Sequence, residues 1–342
     1  MKFQTSGSGS DIPIDMTSSI PGLRFRHFSG VSDLRAMAEV ANASDALDGV
    51  HNMRTPESMA ESYASLLNCD PYTDLILAEV NGELAGYARG WWKEEVGGTV
   101  LHIQMGVVGP GWRRRGIGRA MLNWLESRQR IVGRRFPVGT RQLFNVYVTE
   151  GEVARAALMD SAGYAVARHL FSMARRNLDG VPAFTLPAGL EIRQVTPEHY
   201  AHLWAADLEA MREHWGRTEP GEAAYEAWIS DKDVFQPRLW SVAWDTTSHQ
   251  VVGQVRAFVR EAENLQLGRL RGYTEFISVR KPWRRQGVAR ALIAHSLQLQ
   301  ARAGMRESAL EVDSANATGA TKIYEACGFE ISHRNRVYRK PL

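Results

Sequence analysis

Cysteine is almost missing: the chain of 342 residues carries only Cys69 and Cys327. With no signal peptide visible, a disulfide scaffold is not expected, and free, mostly buried thiols are the plain reading. No apolar stretch is long enough to cross a bilayer, so no membrane partner is expected and a cytoplasmic protein is. An excess of one charge is missing too, since 41 Lys and Arg against 38 Asp and Glu leave a formal +3. That balance does not build a polyanion surface, and nucleic acid is not expected as a partner. The ten histidines are dispersed, without His-Glu-x-x-His or paired Cys-x-x-Cys, so no metal site is expected. No Gly-x-x-x-x-Gly-Lys-Ser/Thr occurs, and no Gly-x-Gly-x-x-Gly follows an initial strand with an acid about twenty residues on. Nucleotide hydrolysis and NAD chemistry drop out.

What is present describes a globular chain, 44% hydrophobic and 23% charged, and too long for one ordinary core. Met1 to Ser19 is rich in Ser and Gly without hydrophobic periodicity, and is expected to be a flexible tail or an added leader outside the fold. The remainder is written twice. Gly22-Leu-Arg-Phe-Arg-His-Phe and Gly189-Leu-Glu-Ile-Arg-Gln-Val each alternate as a first strand. Leu75 to Val80 with Leu84 to Arg89, and Leu239 to Trp244 with Val252 to Ala257, read as hairpins. Trp-Arg-Arg-x-Gly recurs outright, with Gly116 and Gly287 lying 171 positions apart. The closing turns Ala162-Gly-Tyr164 and Cys327-Gly-Phe329 are 165 apart, so the first half has six extra residues, expected within Arg128 to Arg141. Asp179 to Gly189, with Pro182 and Pro187, is the expected linker. This divides the chain into a tail (1–19), a first domain (20–182) and a second (183–342).

In each half a strand runs into a loop that opens an amphipathic helix. Val288, Ala291, Leu292 and Leu299 share one face of the second helix, and Ile117, Met121, Trp124 and Leu125 one face of the first. A helix start presents unpaired N–H groups and partial positive charge, and Gly287 with Ala289, or Gly116 with Gly118, lets an anion approach the backbone. A pyrophosphate fits. One such loop reads equally well as a tight helix start, but two copies in the same strand-to-helix context favour an anion site.

Arg284 to Ala289 and Arg113 to Gly118 both match Gln/Arg-x-x-Gly-x-Gly/Ala, and here the sequence resembles the GNAT acetyltransferases. The resemblance implies an α/β fold of two tandem GNAT-like domains, each a mixed, largely antiparallel sheet flanked by helices. It implies that acetyl-CoA is the acyl donor, with its pyrophosphate on the loop amides. In the second copy those are Arg284, Arg285, Gln286, Gly287, Val288, Ala289 and Arg290; in the first, Arg113, Arg114, Arg115, Gly116, Ile117, Gly118 and Arg119. By the same resemblance Ile277, Ser278 and Val279 face the pantetheine arm, as Val107 and Val108 would in the first copy. Leu310 to Asn316, then Tyr324 ahead of Gly328-Phe329, look like the family's next element, with Asn316 ordering the cofactor arm or a local turn.

An alkyl ammonium is only about 0.1% free base at neutral pH, so an N-acyltransferase benefits from a base. Glu275 stands where the family often places one, and a solvated or salt-bridged strand carboxylate is the plain alternative. Tyr324 occupies the position of the acid that protonates the leaving thiolate, the alternative being packing before Gly328. Backbone N–H groups near Val279 would polarise the thioester carbonyl. The two offsets set Gln104 against Glu275, Gly151 against Asn316 and Met159 against Tyr324, and none of these substitutes can do the proposed chemistry. The first copy is thus expected to hold cofactor without turnover, unless His102 or Tyr147 supplies a proton carrier. Tyr200 to Trp228, with Trp204, Met211, His214, Trp215 and Tyr225, reads as a roof over the acceptor or as ordinary sheet packing. Glu209, Glu213, Glu219 and Glu222 would draw a cationic acceptor or line a solvated helix face.

The function expected is acetyl transfer to a primary amine of a small molecule, by direct attack in a ternary complex. A non-catalytic acyl-CoA-binding regulatory module and acetylation of a protein amine are the alternatives. The assembly expected is a monomer acting as an internal pseudo-dimer, or a homodimer.

Overall fold

The computed structural model describes residues 10–14, 20–50, 52–212, 214–218, 220–221, 223–315 and 319–342. It forms two compact units. The first holds the described residues up to Arg168 together with Asn335–Leu342, and the second is His169–Arg334.

The first unit runs β1 (Leu23–His27), α1 (Val31–Leu47), α2 (Pro56–Ala64), α3 (Pro71–Asp74), β2 (Leu75–Val80), β3 (Glu83–Glu94) and β4 (Val100–Val108). It continues with α4 (Ile117–Gly133), β5 (Gln142–Val148), α5 (Val153–Ser161) and the start of β6 (Ala165–Arg175). Strands β1 to β5 lie in chain order, antiparallel except for the parallel pair of β4 and β5. Every residue of β2 is buried, because alternate side chains serve two layers. Leu75 and Leu77 pack with Phe28, Leu34 and Met37 around α1, while Ile76 and Ala78 pack with Ile117, Met121 and Leu125 of α4. Both faces of the sheet are therefore covered by helices.

The second unit repeats the order with β7 (Leu190–Ile192), α6 (Tyr200–Ala210), α7 (Ala224–Ser230), β8 (Trp240–Asp245), β9 (Val251–Arg256), β10 (Phe258–Val259), α8 (Glu261–Leu267) and β11 (Arg271–Tyr273). Then follow β12 (Ser278–Val279), α9 (Val288–Arg302), β13 (Glu307–Asp313), α10 (Ala320–Ala326) and β14 (Glu330–Pro341). The counterpart of β4 is broken in two. Its first half, β11, pairs parallel with β13, and its second half, β12, pairs antiparallel with β9. The strand expected through Glu275 is thus interrupted at Thr274 to Ile277, where Phe276 takes a left-handed φ of 49°. That conformation turns the backbone and lets the two halves find different partners.

The domain boundary expected near residue 183 is corrected. β6 and β14 end the two sequence copies, yet Leu170 to Arg175 of β6 pair with β13 in the second unit. Arg336 to Pro341 of β14 pair with β5 in the first. The copies have exchanged their last strands, and a repeat offset cannot reveal which of two equivalent edges a terminal strand joins. The expected linker is part of the second unit as well: Val181, Phe184 and Leu186 pack against its core. A second correction concerns the tail. Residues 10–14 lie against β1, with the Ile12 N–H bonded to Phe25 O at 2.7 Å and the His27 N–H to Ser10 O at 3.1 Å. Ile12 and Ile14 pack on the core at the two-residue spacing of a strand edge. The rest of Met1 to Ser19 lies outside the described residues. Of the six extra residues, two lengthen α4 (17 residues against 15 in α9) and four lie in the connection from α4 to β5. Among the described residues no helix is long and apolar enough to cross a membrane.

Candidate functional site

The two loops share one backbone. After β4, a 3-10 turn at Pro110–Trp112 leads through Arg114 (φ 62°) and Gly116 (φ 91°) into α4. After β12, a 3-10 turn at Lys281–Trp283 leads through Arg285 (φ 62°) and Gly287 (φ 87°) into α9. The left-handed turn at Gly116 and Gly287 is one that glycine adopts freely, and it points the first helical N–H groups out of the loop. The first arginine of each Trp-Arg-Arg is turned inward to hold this shape. Arg113 donates Nε to Val108 O (3.3 Å) and its end nitrogens to Asp48 (2.7 Å each) and Ser44 Oγ (2.6 Å) at the end of α1. Arg284 donates Nε to Val279 O (2.9 Å) and Nη2 to Ala210 O (2.7 Å) at the end of α6.

Arg114, Arg115, Arg285 and Arg290 are exposed around the loops. Arg119 donates to Ser161, and Gln286 folds back on Pro282 O at 3.0 Å. Val107, Ile117, Val288 and Ser278 are buried beneath them. A Cβ added at Gly118 would meet Val108 and Leu158 side chains at an ordinary 3.5 and 3.6 Å, which is why glycine here and alanine at 289 serve alike. A cradle of helix N–H groups ringed by arginines fits a pyrophosphate.

In the second unit the break beside Phe276 places Glu275 at the point where β11 and β12 part. Its Oε1 accepts the Glu311 N–H of β13 at 2.9 Å. Part of the residue reaches the surface, but its carboxyl end is enclosed by protein, and burial pushes its pKa up to about 8. The Glu311 N–H and Arg260 oppose that rise, while the Glu311 charge adds to it. Tyr324 is buried on α10, and its phenol is held above the usual range by burial and then by the charge of Glu275. The two groups picked out by resemblance therefore feel each other electrostatically in one unit. Asn316 lies outside the described residues.

An aromatic cluster is linked to the Glu275 segment through Arg256. Trp228 lies 5.2 Å from Trp204, 5.7 Å from Tyr225 and 5.7 Å from Trp240, ring centre to ring centre. Most of these rings are half-buried and pack on β8. Glu209 is paired with Arg280 at 2.8 Å, and Glu213, Glu219 and Glu222 lie outside the described residues. Sequence reasoning passed over Arg256, which is 4% exposed at the end of β9. Its guanidinium is stacked between Trp228 (5.1 Å) and Phe276 (4.8 Å) and paired with Asp207 at 2.9 Å. Its backbone N–H donates to the Glu275 carbonyl at 3.1 Å, tying the aromatic cluster to the segment that carries Glu275. A signal existed: Arg89 ends the matching repeat in the first copy, and it too is stacked, between Tyr63 (4.8 Å) and Trp91 (5.0 Å).

The first unit holds a cavity of about 410 Å³ beside its loop, lined by Gln104, Gly106, Met121, Leu125, Arg155 and Met159 among others. Gln104 is spent on Gln129 (2.9 Å) and on the Tyr164 hydroxyl, which donates to it at 2.8 Å. Gly151 is pressed against α1, and a Cβ there would lie 1.8 Å from Asp48 O. His102 is fully buried against Gln142 (2.8 Å), and burial lowers its pKa, while Tyr147 is exposed on β5.

Two copies of a strand, a loop with glycine in a left-handed turn and a helix, each set in a mostly antiparallel sheet, make up a duplicated α/β fold. The chain belongs to the acetyltransferase (GNAT) family, whose sequence pattern matches residues 43–136 and 200–329. It is an acyltransferase of this type. The tandem layout is similar to that of mycothiol synthase, among other two-domain members. Among characterised proteins the chain is similar to the mycothiol acetyltransferase of Geodermatophilus obscurus, 29% identical over 265 residues that cover 75% of this chain and 78% of that one. The mycothiol acetyltransferase of Thermomonospora curvata is 26% identical over 325 residues, covering 91% and 94%. A GCN5-related N-acetyltransferase from Sphaerobacter thermophilus superposes with a TM-score of 0.75 at 25% identity, covering 94% of this chain and 97% of that one.

Proposed function

We propose that this acetyltransferase moves the acetyl group of acetyl-CoA onto a primary amine of a small molecule, by direct attack in a ternary complex in the second unit. The observation that carries this reading is Glu275, set where β11 and β12 part with its Oε1 on the Glu311 N–H, whose carboxyl, pushed up by burial to about 8, is a stronger base than a free carboxylate once ionised. The loop from Arg284 to Arg290 takes the pyrophosphate, the segment Ile277 to Val279 lies along the pantetheine arm, and Asn316 orders that arm or its turn. The matching set in the first copy, Val107, Val108 and Arg113 to Arg119, holds the same ligand without turnover.

The acceptor attacks as the neutral amine, its ammonium proton having gone to solvent, and as its nitrogen bonds to the thioester carbon Glu275 takes the proton that the new bond makes acidic, directly or through water. When the carbon–sulfur bond breaks, Tyr324 hydrogen-bonds the departing sulfur and hands over its proton, which is restored from Glu275 by way of solvent. The net proton transfer is from amine to thiol. Arg256 and the rings around Trp228 wall the acceptor side. The name shared by the two characterised relatives supports a small-molecule acceptor.

The test follows free thiol release from acetyl-CoA with a panel of small amines, amino acids, aminoglycosides and peptides, for the parent and Tyr324→Phe. Acceptor-dependent release that falls at least tenfold in the variant supports the reading and names the acceptor class. Binding of acetyl-CoA without turnover on any acceptor would instead favour a regulatory module, and turnover on peptides alone a protein-directed enzyme.

A further inference from the structure

Residues of β4 whose peptide groups face β5 can be counted off by alternation. The Val100 N–H bonds to Arg141 O (2.9 Å) on that side, so His102, Gln104, Gly106 and Val108 face it as well. Pairing with β5 stops at Gln104 opposite Val146. Gly106 and Val108 therefore turn their backbone groups into the wedge where the strands part, beside the loop and within the 410 Å³ cavity. A ligand that enters this wedge as an added strand would use those groups. Both carbonyls are already taken. Arg113 Nε holds Val108 O at 3.3 Å, and Nη2 of Arg155, reaching across from α5, holds Gly106 O.

Arg155 is fixed in this pose. Its Nη1 pairs with Glu152 at 2.7 Å, and the other oxygen of Glu152 accepts the Thr149 N–H at 2.7 Å. Glu152 is buried, so its charge depends on that partner. The second copy provides an internal comparison. Arg284 holds Val279 O as Arg113 holds Val108 O, but the residue 165 positions after Arg155 is Ala320, which has no side-chain donor. Only the first copy has an arginine at this place.

We propose that Arg155 is an internal occupant of the first cleft, competing with the pantetheine arm of acyl-CoA for the Gly106 carbonyl. The first copy then takes the ligand only when Arg155 swings aside, and binds it more weakly than the second. This rests on the reading that each loop cradles the pyrophosphate of CoA. The test is calorimetric titration of the full chain with coenzyme A. Ala289→Asp puts a negative charge into the second cradle and isolates the first. In that background Arg155→Ala should tighten binding at least tenfold. Arg155→Lys, which keeps a cation beside Glu152 but lacks the second nitrogen, should tighten it too. Unchanged or weaker binding in both variants overturns the proposal, weaker binding marking Arg155 as a contact to the ligand. A tight site that survives Ala289→Asp overturns the cradle reading itself, and this proposal with it.

Discussion

Glu275→Gln separates a working base from a structural carboxylate, because the environment of this group fixes the shape of a pH profile in advance. With a pKa of about 8, about one molecule in ten carries the carboxylate at pH 7 and about nine in ten at pH 9. If that form takes the amine proton, kcat/KM rises close to tenfold per pH unit from pH 6 to about 7.5 and levels above pH 8. Removal of a general base costs about 10²-fold or more, so Glu275→Gln should lose at least that much at pH 8.5 and lose the step near pH 8. Stability must move the opposite way. A carboxyl raised in the folded state supports folding fully below its ordinary value of 4.5 and loses that support as pH rises through about 8. The glutamine variant should therefore melt above the parent at pH 9 and close to it at pH 5. Thiol-release kinetics and thermal denaturation over the same buffers read both effects. A variant that keeps the parent's profile and rate would refute the assignment, and one that melts below the parent at pH 9 would refute the buried, raised carboxyl.

Other expectations concern the first unit. Lys340 of the exchanged strand reaches Glu126 at 2.9 and 3.1 Å. Burial of Glu126 works against its charge, but bonds from Lys340, Arg130 and Tyr164 still hold its carboxyl below the usual range. Lys340→Met should cost about 1–3 kcal/mol near pH 7, with the loss shrinking in acid as Glu126 protonates, and denaturant melts across pH check it. Gln104→Glu sets a carboxylate oxygen against Gln129 Oε1 and should cost about 1–3 kcal/mol without adding activity, since Met159 offers no proton; melting and thiol release read the two parts. Gly151→Asn forces a Cβ into Asp48 O and should destabilise by about 1–3 kcal/mol, lowering the melting temperature without converting the first copy into a second catalyst.

What was legible in the sequence depended on local pattern. Trp-Arg-Arg-x-Gly fixed both loops to the residue, because a glycine in a left-handed turn before an amphipathic helix leaves a mark in the chain itself. β5 and β13 correspond at the single offset of 165, as do β6 and β14. That equivalence is also why the strand exchange was hidden: β6 and β14 carry matching patterns, and only three-dimensional closure decides which edge each completes. The break at Phe276 left no mark, since a phenylalanine in a left-handed bulge looks like any strand residue. Ile12 and Ile14 are too short an alternation to stand out from a Ser- and Gly-rich tail. Arg155 and Arg256 were missed because their meaning lies in what they face across the fold, the Gly106 carbonyl in one case and two aromatic rings in the other.

The central claim is that acetyl transfer takes place in the second unit, on the cradle at the start of α9. The most direct measurement compares Ala289→Asp with Gly118→Asp by acceptor-dependent thiol release. An acid in the first helical turn suits the helix and repels a pyrophosphate, so both proteins should stay folded while each loses one cradle. The account predicts that Ala289→Asp abolishes turnover and Gly118→Asp leaves at least half of it. Turnover that survives Ala289→Asp and disappears with Gly118→Asp would contradict the account and move the chemistry to the first copy.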